Sequence, residues 1–202
     1  SCVKIKKNGK KMALAFAQKN NKKLLKNISL VVLGTVFIAL SAQVIVPFVP
    51  VPVTLQTLAV LMIGLSFGSK LGLATVFTYL LEGAVGLPVF AGGASTLALI
   101  GPTAGFLFGF LLMVYVAGLA RDLQVTSFFA TSFFTLLASM LLYIPGAIWP
   151  LLIAEFLGIK AGWANLPVSK IMSGFIAPFI LIDIVKSFVA ALLVSSIVKR
   201  LI

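Results

Sequence analysis

The chain has 202 residues, 61% of them hydrophobic and only 10% charged, with a mean hydropathy of +1.19. A soluble domain of this size has too little interior to hide so much apolar surface, so the composition points to a bilayer as solvent and to one membrane domain. The formal net charge of +12 does not mark a nucleic-acid binder, because nine of the 16 basic residues precede Ile28 as a tail rather than forming a patch on a folded surface.

That tail, residues 1–27, carries Lys4, Lys6, Lys7, Lys10, Lys11, Lys19, Lys22, Lys23 and Lys26. Basic residues abutting the first apolar span are retained in the cytoplasm and attract anionic lipid. The apolar stretch behind them is too long for a signal-peptide core. Met12 is a candidate native start, which would make the first eleven residues an extension. The single Cys2 excludes an internal disulfide, and the absence of His removes most metal and acid–base schemes.

Six apolar segments follow, at about 28–47, 54–68, 71–87, 102–120, 124–157 and 168–198, a span being about 20 residues of helix. The predicted fold is therefore an all-α integral membrane protein. It is a compact bundle of six transmembrane helices over residues 28–202, or five if the short second segment does not cross. The fifth segment is interrupted by Pro145, Gly146 and Pro150, which predicts a crossing up to about Tyr143 and then an interfacial stretch. With the basic tail inside, Lys70, Arg121 and the terminal Lys199 and Arg200 also fall inside, so both termini are expected to be cytoplasmic. Lys160 and Lys170 fall outside against that rule.

The outer connections are the unusual ones: PFVPVPV (47–53), GLPVFAGGASTLALIG (86–101) and GIKAGWANLPVSK (158–170). Long Pro- and Gly-rich apolar loops gathered on one side suggest a cap over an outward-facing pocket, since irregular backbone at membrane depth survives only where it is buried or lines a cavity. Simple connectors are the alternative.

Asp183 and Lys186, in FILIDIVKSF, are three apart and share a helix face with Cβ atoms about 5–6 Å apart. A charge at the bilayer centre costs about 2.5–3.5 kcal/mol on insertion scales, so the pair must face protein or a wet cavity. It is either an ion pair locking the last helix into the bundle, a polar ligand site, or part of a proton relay. As a site, an acceptor-only carboxylate beside a donor-only ammonium suits a compact group with N–H donors next to a carbonyl, such as a cyclic urea or amide. The only acidic residues are Glu82, Asp122, Glu155 and Asp183, too few to converge on a metal ion.

Gln56 stands at the outer start of the second segment, where its amide could reach a pocket. Tyr79 and Glu82, three apart near the outer end of the third, are further candidates for the pocket; the alternatives are an interfacial aromatic and a snorkelling carboxylate. In the first segment Thr35 and Ala39 form a small-xxx-small pair, with Ala42 close by. That face packs either within the bundle or against a partner protein. No nucleophile elbow, phosphate loop or zinc-helix motif is present, so an enzyme is not expected and any uphill transport would need energy from a partner or an ion gradient.

The blocks VPVTLQTLAVLMIGLSFGSKLG, YLLEGAVGLPVFAGG and LIGPTAGFLFGF, flanked by ALSAQVIVPF and PFILIDIVK, closely resemble the BioY family, the biotin-specific substrate-binding subunits of energy-coupling factor (ECF) transporters. The resemblance covers the chain from about Asn27 onward. It implies a multi-pass protein of the bacterial cytoplasmic membrane that binds biotin from the outer side, needs no cofactor, and works with an EcfT-type transmembrane coupling protein and ATPase subunits. On that resemblance Asp183 and Lys186 meet the ureido ring, Gln56 is a second contact, and the loop with Gly92 and Gly93 lies over the ligand. The Ala-rich coupling face of the first helix corresponds to the stretch around Ala39 and Ala42, with Thr35 in place of an Ala. Some members carry an Arg directly after the two glycines, for the valerate carboxylate. Here Ala94, Ser95 and Thr96 follow, leaving Ser95, Thr96, backbone N–H groups, Lys160 or Lys170 for that end of the ligand. Other readings are a solitary biotin facilitator, the same fold tuned to another vitamin, a structural membrane protein, or a membrane enzyme.

Overall fold

A computed structural model describes the backbone of residues 2–201 and the side-chain environment of residues 20–196. Six helices pack into one bundle. They are α1 (Cys2–Ala42), α2 (Gln56–Phe67), α3 (Ser69–Ala84), α4 (Ala104–Asp122), α5 (Phe128–Phe156) and α6, whose apolar part is Val168–Ser196. Among the described residues, four stretches are long and apolar enough to cross a bilayer: Asn20–Ala42, Ala104–Asp122, Phe128–Phe156 and Val168–Ser196.

The bundle is inside-out relative to a soluble protein. Large apolar side chains such as Leu33, Phe129, Phe156 and Leu181 stand 65%, 82%, 90% and 72% exposed, the surface that lipid covers. The interior is apolar too, with Leu61, Val76, Met113, Leu142 and Phe175 fully enclosed.

The backbone runs without a break from the basic segment into the first apolar span, all within α1. Three expectations are modified. The second span is shorter than the sequence pattern implies: α2 has 12 residues, about 18 Å at 1.5 Å per residue. The chain ahead of it is not helical but a two-residue β ribbon, β1 (Ile45–Val46) pairing antiparallel with β2 (Val53–Thr54), so the purely α description needs this small addition. Val51, Val53 and Thr54 are buried, which is the condition under which non-helical backbone survives next to lipid.

The fifth segment is not broken at Pro145. The helix continues through it and absorbs the irregularity later, in a π turn at Trp149–Ile153, before ending at Phe156. Proline removes one backbone hydrogen bond, and a local widening of the helix is one way neighbouring turns re-form theirs. A second π turn, Met172–Ile176, lies in the first part of α6.

At the other end of the bundle the α2–α3 turn lies against the end of α4. A Cβ on Gly118 would fall on the backbone of Ser69, so only glycine permits this approach. Asp122, the last residue of α4, then accepts hydrogen bonds from both the backbone N–H and the hydroxyl of Ser69, capping the N-terminus of α3.

Candidate ligand-binding site

The late start of α2 is what builds the site. Because the helix begins only at Gln56, with Ala59 N–H to Leu55 O as its first bond, the Thr54 carbonyl is not consumed by an N–H of the turn that follows it, and it faces α6 together with the Thr57 hydroxyl. Lys186 Nζ donates to Thr54 O at 2.8 Å, to Thr57 Oγ1 at 2.9 Å and to Asp183 Oδ1 at 3.2 Å. All three ammonium donors are thereby used. Asp183 Oδ1 also accepts from Thr57 Oγ1 at 3.1 Å, and Oδ2 accepts from Tyr143 Oη at 2.7 Å.

The pair is 3% and 7% exposed. Burial of two charges is tolerable only when their remaining hydrogen-bonding capacity is met, which these partners do. A carboxylate offers about four lone-pair positions, so Asp183 retains capacity for another donor.

Behind this cluster stands a second relay. Gln56 Nε2 donates to Tyr79 Oη at 2.7 Å, and Tyr79 Oη donates to Val89 O at 2.8 Å. The Thr54 hydroxyl donates to Gln56 Oε1 at 3.0 Å. The amide of Gln56 is therefore fixed in orientation and joined to the long loop that begins at Val85. A third set of bonds holds α6 to α5: Ser187 Oγ donates to Asp183 O at 2.7 Å and lies 2.8 Å from Ser139 Oγ, while Thr135 Oγ1 donates to Ser187 O at 3.1 Å. These small hydroxyl residues fix the helical turn that carries Asp183.

The cluster opens onto a cavity of about 370 Å³, within the range of small-molecule sites. Its polar wall is Thr54, Gln56, Thr57, Asp183 and Lys186. Four phenylalanines, Phe90, Phe106, Phe110 and Phe179, supply aromatic faces, and Val51, Pro52, Leu107 and Leu142 fill between them. The loop contributes Ala91, Ala94, Leu97 and Ala98, and Gly101, Pro102 and Thr103 lead into α4. Leu97 is 77% exposed, so the cavity reaches the surface there.

Phe90 is anchored from three directions. Its ring meets Tyr79 edge-on at 5.3 Å, its carbonyl accepts from Gln43 Nε2 at 3.1 Å, and its ring occupies the space where a Cβ on Gly83 would stand.

Of the residues singled out in the sequence, Gln56, Asp183 and Lys186 come together at the cavity. Tyr79 stands one bond behind it, fully buried. Glu82, Gly92, Gly93, Ser95 and Thr96 do not line it. Gly92 and Gly93, at φ 67° and 74°, bend the loop, and the Thr96 hydroxyl turns back to the carbonyl of Ala84 at 3.2 Å. Lys160 and Lys170 are exposed and outside the lining.

On α1, Thr35 and Ala42 are 1% and 0% exposed, packed inside the bundle, and Ala39 is half-buried. Thr57 and Tyr143 join the cluster without a signal in the sequence. Thr57 is adjacent to Gln56, and Tyr143 precedes the Pro145 irregularity, but their roles arise only once α2, α5 and α6 meet.

Comparison with known proteins gives one consistent result. The sequence model described as the BioY family matches residues 11–202. A probable biotin transporter BioY of Pyrococcus horikoshii is 35% identical over 83% of this chain and 93% of its own length. The biotin transporter BioY of Thermotoga maritima is 36% identical over 79% and 88%, and that of Rhizobium etli 38% over 72% and 77%. Among solved structures, the S-component for biotin from an ECF-type ABC transporter superposes with a TM-score of 0.72, covering 89% of this chain and 94% of that one at 24% identity, which establishes a shared fold.

Proposed function

Because this chain belongs to the BioY family, we propose that it binds biotin and mediates its uptake as the substrate-binding component of an ECF-type transporter. The observation that carries this reading is the buried Asp183–Lys186 pair at the wall of an otherwise mostly apolar cavity. The ureido ring of biotin presents two N–H donors flanking a carbonyl, the complement of an acceptor-only and a donor-only side chain.

In this reading Asp183 accepts from a ring N–H through its remaining lone-pair capacity. Lys186 turns one N–H from Thr54 or Thr57 to the ring carbonyl. Gln56, held by Tyr79, meets the ring edge, while Phe90, Phe106, Phe110 and Phe179 enclose the apolar bicycle and chain. Gly92 and Gly93 shape the overlying loop. Burial of the apolar part supplies most of the affinity, at about 25 cal/mol per Å² before ordering costs, and the polar cluster supplies selectivity.

The pocket opens to the outer side, with both termini cytoplasmic; the distribution of Lys and Arg in the short connections supports that orientation. Energy comes from elsewhere, in line with an ECF assembly of coupling protein and ATPases, since no nucleotide-binding motif occurs in the sequence. The family is one of transporters rather than enzymes.

Calorimetric titration of the detergent-purified chain with biotin tests the binding claim. Saturable one-to-one binding is expected, and no binding by a folded chain would refute it. Uptake of labelled biotin by cells expressing this chain, with and without coupling and ATPase subunits, tests the transport claim. Accumulation is expected only with the partners, and equal uptake without them would make it a solitary facilitator.

A further inference from the structure

The cavity wall divides sharply by chemistry. Among the described residues, Lys186 is the one cation that lines it, and its three donors are taken up within the cluster of Thr54, Thr57 and Asp183. Away from that cluster and the adjoining Gln56, the side chains of the wall are apolar except for Thr103, whose hydroxyl donates to Ala98 O at 3.5 Å. Lys160 and Lys170 stand exposed outside the lining, and Thr96 turns back to the end of α3. If Lys186 meets the ureido ring, no second cation among the described residues lines the cavity to pair with the carboxylate at the far end of biotin. The start of α4 brings backbone dipoles to that region, and a helix N-terminus favours an anion by about two- to fivefold.

The cavity also reaches the surface at Leu97, which gives a longer substituent a way out. We propose that this pocket accepts biotin neutralised at its carboxyl, as an amide or ester, as readily as the free acid, so that conjugated biotin is within its substrate class. A carbonyl that is not ionised gives up less hydration on entering an apolar wall, and the extra chain continues outward past Leu97.

The inference rests on biotin binding as proposed above, and its test separates the two. The purified chain is titrated with biotin, biotinamide, biotin methyl ester and ε-N-biotinyl-lysine. All four are expected to bind with dissociation constants within about fivefold of one another. Binding of the free acid at least tenfold tighter than both the amide and the ester would overturn the inference while leaving biotin recognition intact. Failure of all four to bind would overturn both. Lys160→Ala and Lys170→Ala variants are expected to bind free acid and amide like the parent; a tenfold loss confined to the free acid would show a carboxylate partner in the last outer loop and also overturn it.

Discussion

Two aspartates sit in this bundle, and the contrast between them separates scaffold from site. Asp122 ends α4 at an exposed corner and spends its carboxylate on Ser69, capping α3 where Gly118 lets the helices touch. Asp183 is 3% exposed, takes hydrogen bonds from Thr57, Tyr143 and Lys186, and still faces a cavity. A carboxylate at a helix terminus near water needs only local donors. One held inside the bundle needs a counter-charge and partners from three helices, and that investment coincides with an open space of ligand size.

Substitutions on the two sides should therefore separate binding from folding. The largest effect is expected from Lys186→Met, which leaves the Asp183 charge without its counter-ion and removes the donor for a ligand carbonyl. Biotin affinity should fall by about 2–3 kcal/mol, some 30- to 150-fold, by calorimetry. Gly118→Val should instead destabilise the fold by about 1–3 kcal/mol, read as a lowered melting temperature in detergent, because its Cβ meets the backbone of Ser69. Asp122→Ala removes the α3 cap, for about 1 kcal/mol of stability with biotin affinity unchanged. Tyr79→Phe, which frees the Gln56 amide from its orienting partner, should give an effect of the same order, about 0.5–1.5 kcal/mol, but in affinity, with little change in melting. An Asp122→Ala variant that melts normally but binds poorly would break the division.

Much of this layout is visible in the sequence because bilayer physics is severe. Hydropathy alone places the six segments, and a spacing of three puts Asp183 and Lys186 on one face of α6. Departures occur where tertiary packing overrides local pattern. Residues 54 and 55 look like the continuation of an apolar span, yet the β1–β2 ribbon delays the helix to Gln56 and so exposes the Thr54 carbonyl. Pro145 predicts a break, but packing against α4 carries α5 through it. Thr57 and Tyr143 carry no signal of their own, being ordinary residues of apolar helices until the bundle forms. Thr96, on the loop, and Glu82, on α3, both lie outside the lining.

The most direct measurement is the binding of biotin to Asp183→Asn together with the melting temperature of the unliganded variant. Asn is nearly the same shape: its one carbonyl oxygen can still accept from Thr57, while its NH2 can donate to Tyr143 Oη where the carboxylate accepted, so both neighbours keep a partner while the charge is lost. The account predicts a loss of biotin affinity of about 30-fold or more and a clearly folded protein with a cooperative melt. Parent-like affinity accompanied by a much lower melting temperature would contradict it, and would make Asp183 a second Asp122, a residue that holds helices rather than ligand.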